Sequence, residues 1–147
     1  MKPINEMRLR IESRSVNEGF ARAVISAFAA QLDPNLEELS DIRTAVSEAV
    51  TNCIVHAYPD CVGSIYIWAG IFENGLVRIK IRDKGLGISD IKKAMEPLFT
   101  TSGEERAGLG FAVMESFCDK VTVRSKENVG TVVTLEKRIC GRENTDD

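Results

Sequence analysis

The chain has 147 residues, 44% of them hydrophobic and 28% charged, with a net charge of −3, which suits one soluble domain with its own core. No apolar run approaches the roughly 18 residues of a membrane-spanning helix, and the opening MKPINEMRLRIES has no signal-peptide centre. The charge balance gives no sign of a nucleic-acid-binding face, so a cytoplasmic protein without direct nucleic-acid or membrane contact is expected.

The first predicted element is a strand over 7–12, where Met7, Leu9 and Ile11 alternate with Arg8, Arg10 and Glu12. Asn17 is read as the cap of a helix whose apolar stripe is Phe20, Val24, Ala27, Phe28 and Leu32. The LDPN stretch interrupts it, because proline disfavours helical geometry in the residue before it. A longer helix then runs from about Leu36 to His56. Two strands follow, GSIYIWAGIF and LVRIKIRD, joined through Asn74-Gly75, a strong hairpin signal. A short helix is expected over 89–96, then a segment rich in Thr, Gly and charge over 98–109, then a helix near 110–118. The strands KVTVRS and GTVVTLEK close the order around Asn128-Val129-Gly130, and residues 141–147 read as a disordered polar tail behind a single domain of residues 1–140. Hairpins imply antiparallel pairing, so the fold class expected is α+β: a two-layer sandwich, with a mixed but mostly antiparallel sheet and helices on one face.

Cys53, Cys61, Cys118 and Cys140 form no CxxC pair and are read as reduced thiols. His56 is the only histidine, which argues against a zinc site and against histidine-based triad chemistry.

The long helix carries the first candidate chemistry. With roughly 100° between successive residues, Ile42, Val46, Ala49, Val50, Cys53 and Ala57 share one arc. Glu48 falls roughly 150° from its centre and Asn52 roughly 110°. The pair is either a solvated helix face or a functional one, with an amide oxygen suited to Mg²⁺ and a carboxylate able to take a proton. The second candidate is RDKGLGISD, where Asp83 ends a strand ahead of Gly85 and Gly87. It is either a plain turn or a ligand loop, in which an ionised carboxylate accepts from an exocyclic amino group and repels a carbonyl, favouring adenine over guanine. The third is GEERAGLGFAVMESF, where Gly108 and Gly110 precede a helix. It is a flexible loop or a phosphate-binding helix start, with Arg106 either solvated or within reach of a terminal phosphate. A P-loop and a dinucleotide fingerprint are both missing.

In order, these signals resemble the GHKL superfamily of ATP-binding domains, shared by gyrase-type ATPases and histidine kinases: EAVTN its N box, DKGLG its first glycine box, GLGF its second. Together, NEGFAR, SEAVTNCIVHAY, IRDKGLGI, EPLFTT and GLGFAVMESFCDKV are similar to the anti-sigma F family of serine kinases, from about residue 5 to 138. The resemblance implies the GHKL (Bergerat) ATP-binding fold, bound ATP or ADP, and Mg²⁺ on Asn52. It further implies Glu48 as catalytic base and Asp83 on the adenine amino group. Gly85, Gly87, Gly108, Leu109 and Gly110 would line the nucleotide, Thr131 would lie near the base, and Arg106 near the γ-phosphate. PLFTTSGEERAG, with Thr100 and Thr101, would be a lid. The implied partners are a sporulation RNA polymerase sigma factor, met by Arg22 and Glu105, an anti-anti-sigma protein as serine substrate, and a second copy in a homodimer. A general stress-response anti-sigma kinase and a nucleotide-dependent anti-sigma module without kinase activity are the alternatives. Two features depart from the family pattern: Cys53 stands where alanine is usual, and the lid is slightly shorter.

Overall fold

The computed structural model describes residues 2–88 and 110–141. Five strands form one sheet in the order β1-β2-β3-β5-β4: β1 Asn5–Glu12, β2 Ser64–Ile71, β3 Leu76–Asp83, β4 Lys120–Lys126 and β5 Gly130–Arg138. The expected mixed sheet is antiparallel at all four of these pairings, including β3 with β5, which sets Asp83 opposite Thr131. That register places the end of β3 beside the start of β5.

Alternation sorts the side chains. Ile65, Ile67, Ile71, Val77, Ile79, Ile81, Val133 and Leu135 point into the core, under the helices α1 Val16–Ala29, α2 Leu36–Asn52 and α3 Phe111–Phe117. The opposite face is open and basic. Arg10, Arg82 and Lys84 surround the Tyr66 ring at 5.9, 4.8 and 5.0 Å, and Lys80 sits 5.5 Å from Trp68. Among the described residues no helix is long and apolar enough to cross a membrane.

Two expectations for the first helix need correction. Asn17 is not its cap. The helix begins at Val16, and the Asn17 side chain instead donates to the Glu12 carbonyl at 2.9 Å. The buried stripe is Ala21, Ile25 and Ala29, with Ala27 exposed and Phe20 51% exposed. Small residues let α1 approach α2 closely, so the ridge that packs is the one carrying the alanines, not the bulkiest side chains.

The helix α2 follows a stronger local rule. Asn35 accepts from Glu38 N–H at 2.8 Å while the Glu38 carboxylate accepts from Asn35 N–H at 2.9 Å, a reciprocal capping box. The same carboxylate takes the N–H groups of Cys140 and Gly141 at 2.7 and 3.2 Å. All six residues of the predicted arc, from Ile42 to Ala57, are buried. The final turn is not α-helical as expected: Cys53–Ala57 widens into a π-helical turn.

Candidate functional site

The widened turn, the end of β3 and the start of β5 enclose a cavity of about 230 Å³. Asn52 and Asp83 both line it, with Ala49, Cys53, His56, Ala57, Gly87, Ile88, Phe111, Thr131 and Val133. The walls are largely apolar and the polar groups few, which is the composition of a small-ligand site. A widened turn is a common device at such sites, because it re-aims the helix's last side chains.

Asp83 is 6% exposed. Its Oδ1 accepts from Gly85 N–H at 3.0 Å and from Thr131 N–H at 3.3 Å, and its Oδ2 accepts from the Cys53 thiol at 3.6 Å. Burial raises its pKa above the ordinary aspartate value, against the opposing pull of those three donors. Burial and the nearby Asp83 charge push the Cys53 thiol upward in turn, so it stays a protonated donor.

Asn52 is 8% exposed, and its Oδ1 is a buried acceptor to which no hydrogen bond is directed. An amide oxygen is a hard donor of the kind Mg²⁺ takes, so the residue types present fit an adenine nucleotide with its cation.

The backbone around Asp83 is held from both sides. The Tyr58 hydroxyl accepts from Lys84 N–H at 2.6 Å and donates to the Ser64 carbonyl at 2.8 Å, tying the end of the widened turn to the end of β3. The Ser125 hydroxyl accepts from Ile88 N–H at 2.7 Å and lies 2.7 Å from the Thr131 hydroxyl. Gly130, at φ 144°, leaves no room for a side chain: a Cβ would collide with the Asp83 carbonyl. Gly130→Ala is therefore expected to destabilise the fold by about 2 kcal/mol or more, through strain and overpacking together. A thermal melt reads this; a wild-type melting temperature in that variant would show that the turn relaxes freely.

The predicted site residues divide. The structure brings Asn52, Asp83, Gly87 and Thr131 to one cavity. Gly85 does not line it; its N–H holds Asp83, and a Cβ there would collide with the Ala57 carbonyl. Glu48 opens onto a neighbouring groove of about 340 Å³ with Arg22, Ser40, Arg43, Thr44 and Ser47. Its carboxylate lies against Gly110, whose φ of 63° and missing side chain permit that approach. Arg22 contacts Glu18 at 3.6 Å, and Glu18 accepts from the Ser47 hydroxyl. Thr100, Thr101, Glu105, Arg106, Gly108 and Leu109 lie outside the described residues, as do the expected 89–96 helix and the 142–147 tail.

Sequence reasoning missed Tyr58, Gly130 and the Cys53 bond. A signal existed for Gly130, which follows Asn-Val in the last hairpin turn. None existed for the bond between Tyr58 and Lys84 or that between Cys53 and Asp83, which span 26 and 30 positions.

Comparisons with known proteins identify the family and the fold. The histidine kinase-like ATPase domain family matches residues 11–137. The chain is 55% identical over 136 residues to an anti-sigma F factor of Caldanaerobacter subterraneus, covering 92% of this chain and 94% of that protein. It is 50% identical over 140 residues to the anti-sigma F factor of Geobacillus stearothermophilus, covering 95% and 96%. Among solved structures, the RsbU and RsbW domains of a Mycobacterium tuberculosis protein superpose with a TM-score of 0.67 at 21% identity, over 93% of this chain and 33% of that one. The catalytic domain of histidine kinase ThkA gives 0.56 at 16% identity, over 92% and 98%. These two likenesses speak for the fold alone.

Proposed function

The chain belongs to the histidine kinase-like ATPase family, among its anti-sigma F factors, and from that premise we propose that it binds Mg-ATP, sequesters the sporulation sigma F factor and phosphorylates a serine of an anti-anti-sigma protein. The observation that carries the reading is the shared cavity: Asn52, Asp83 and Thr131, far apart in sequence, line one enclosure.

In this reading Asp83 accepts the exocyclic amino group of adenine, with Thr131 beside the base. Asn52 would hold Mg²⁺ through its side-chain oxygen, and the cation neutralises phosphate charge when bound. By the family resemblance, Gly108, Leu109 and Gly110 would line the nucleotide, Arg106 would act near the γ-phosphate, and Thr100 and Thr101 would belong to the lid. Positioning and charge neutralisation together account for most of the acceleration in such transfers.

Glu48 would take the proton of the partner's serine hydroxyl as that oxygen bonds to the γ-phosphorus and ADP leaves. Its location supports this role. It borders the groove of Arg22 and Arg43 on one side and meets Gly110, where the third helix begins, on the other. A protein substrate seated in the groove would thus present its hydroxyl between base and nucleotide. Arg22 and Glu105 are assigned to partner contact, and the nucleotide-bound form to a homodimer.

The test is incubation of the chain with γ-labelled ATP and purified anti-anti-sigma protein, beside a sigma F pull-down in ATP and in ADP. Label on a serine of the partner and sigma retention in ATP are expected. Sigma retention without label transfer would reduce the protein to a nucleotide-dependent binding module.

A further inference from the structure

Four cysteines are present in the chain, and of these Cys53 alone lines the cavity. It is the first residue of the widened turn and 3% exposed, with its sulfur 3.6 Å from Asp83 Oδ2. The two oxygens of Asp83 are therefore held differently. Oδ1 is engaged by two backbone N–H groups, from Gly85 and Thr131. Oδ2 has one described donor, the thiol, which is a weak one. A carboxylate oxygen has about two acceptor positions, so Oδ2 keeps one for a ligand in the cavity that both residues line.

From this geometry we infer that Cys53 is a positioning residue for base recognition: its S–H fixes the Asp83 carboxylate so that Oδ2 presents its free acceptor position to the amino group of adenine. The inference rests on the adenine-nucleotide reading above and adds to it a determinant of base selectivity. The backbone donors fix the carboxylate at one oxygen only, which leaves rotation about the Cβ–Cγ bond to be resisted from the Oδ2 side. The thiol is the group in place to do so. Because it is a weak donor, it holds that oxygen without saturating it.

A cysteine that merely fills space predicts something different. Truncating a packing residue weakens every ligand of the cavity alike, whereas truncating a positioning residue weakens only ligands that use Asp83. The discriminating pair is ATP and purine ribonucleoside triphosphate, which lacks the exocyclic amino group. Titration calorimetry of the full chain with each, for wild type, Cys53→Ala and Cys53→Ser, reads the effect, with a thermal melt of each variant as a folding check.

Wild type is expected to prefer ATP. Cys53→Ala should weaken ATP by about three- to tenfold, the worth of one ordinary hydrogen bond, and leave the purine analogue unchanged. Cys53→Ser, which retains a donor, should fall closer to wild type than to the alanine variant. Equal losses for both triphosphates, or no loss for ATP, would overturn the inference while leaving nucleotide binding intact. A wild-type protein that binds the two equally well would instead overturn the adenine assignment itself.

Discussion

Asp83→Asn lowers ATP affinity by roughly ten- to a hundredfold while the protein remains folded. The carboxylate and the carboxamide have the same shape, so Oδ1 can still accept from Gly85 and Thr131. What changes is the other position, where an acceptor becomes an NH₂ donor that, in the proposed reading, would meet the amino group of adenine head-on. Stability moves the other way. Burial raises the folded-state pKa of Asp83 above its ordinary value, so the folded chain holds that proton more tightly than the unfolded chain does. The buried charge thus costs stability at pH values above the ordinary carboxylate range, and the cost is relieved as pH falls through the raised value. Asparagine carries no such cost, and the variant's neutral-pH melting temperature should not fall below that of wild type. Acidification should also weaken ATP binding in wild type as Asp83 takes up its proton, a loss the asparagine variant lacks. Calorimetry across pH and a thermal melt check both signs; unchanged ATP affinity in the variant would remove Asp83 from the site.

Glu48→Gln gives the second large effect, in chemistry and not in binding. The proposed role of Glu48 as general base predicts a loss of phosphotransfer of roughly a hundred- to ten-thousandfold, with nucleotide affinity held because Glu48 does not line the cavity. Glutamine preserves the contact with Gly110, so the third helix keeps its seat, which alanine would not guarantee. Single-turnover transfer of labelled phosphate to the partner separates the two quantities. Wild-type transfer rates would reassign the base; a parallel loss of ATP binding would mean that Glu48 acts by shaping the cavity.

The parts of this molecule that were legible in the sequence are those with a short repeat. Alternation located the first strand, turn signals placed the two hairpins, and the 3.6-residue period found the buried arc of the long helix down to Ala57. Asp83 stood out as an acid at the end of a strand, followed by alternate glycines. Periodicity also misled. On the first helix it favoured Phe20 over Ala21, because a bulky apolar side chain carries more weight in a pattern than the small one that lets two helices touch. It was silent on the widened turn, since CIVHA reads as continuing helix until packing stretches it. The second layer of the site was beyond reach for a different reason. The thiol of Cys53 and the hydroxyl of Tyr58 acquire meaning only through β3, and no local rule says which strand will arrive beside them.

The basic outer face of the sheet has a consequence for how the molecule meets others. Arg8, Arg10, Lys80 and Arg82 share one groove there with a single acid, Glu6, while the chain as a whole sums to −3. The remainder of the chain therefore holds a negative excess larger than the net value suggests, and this groove is a local positive patch on a chain of negative sum. In dilute buffer such a patch draws an acidic surface toward it before contact; at physiological salt, with a screening length of about 8 Å, the attraction is confined to the last moments of approach.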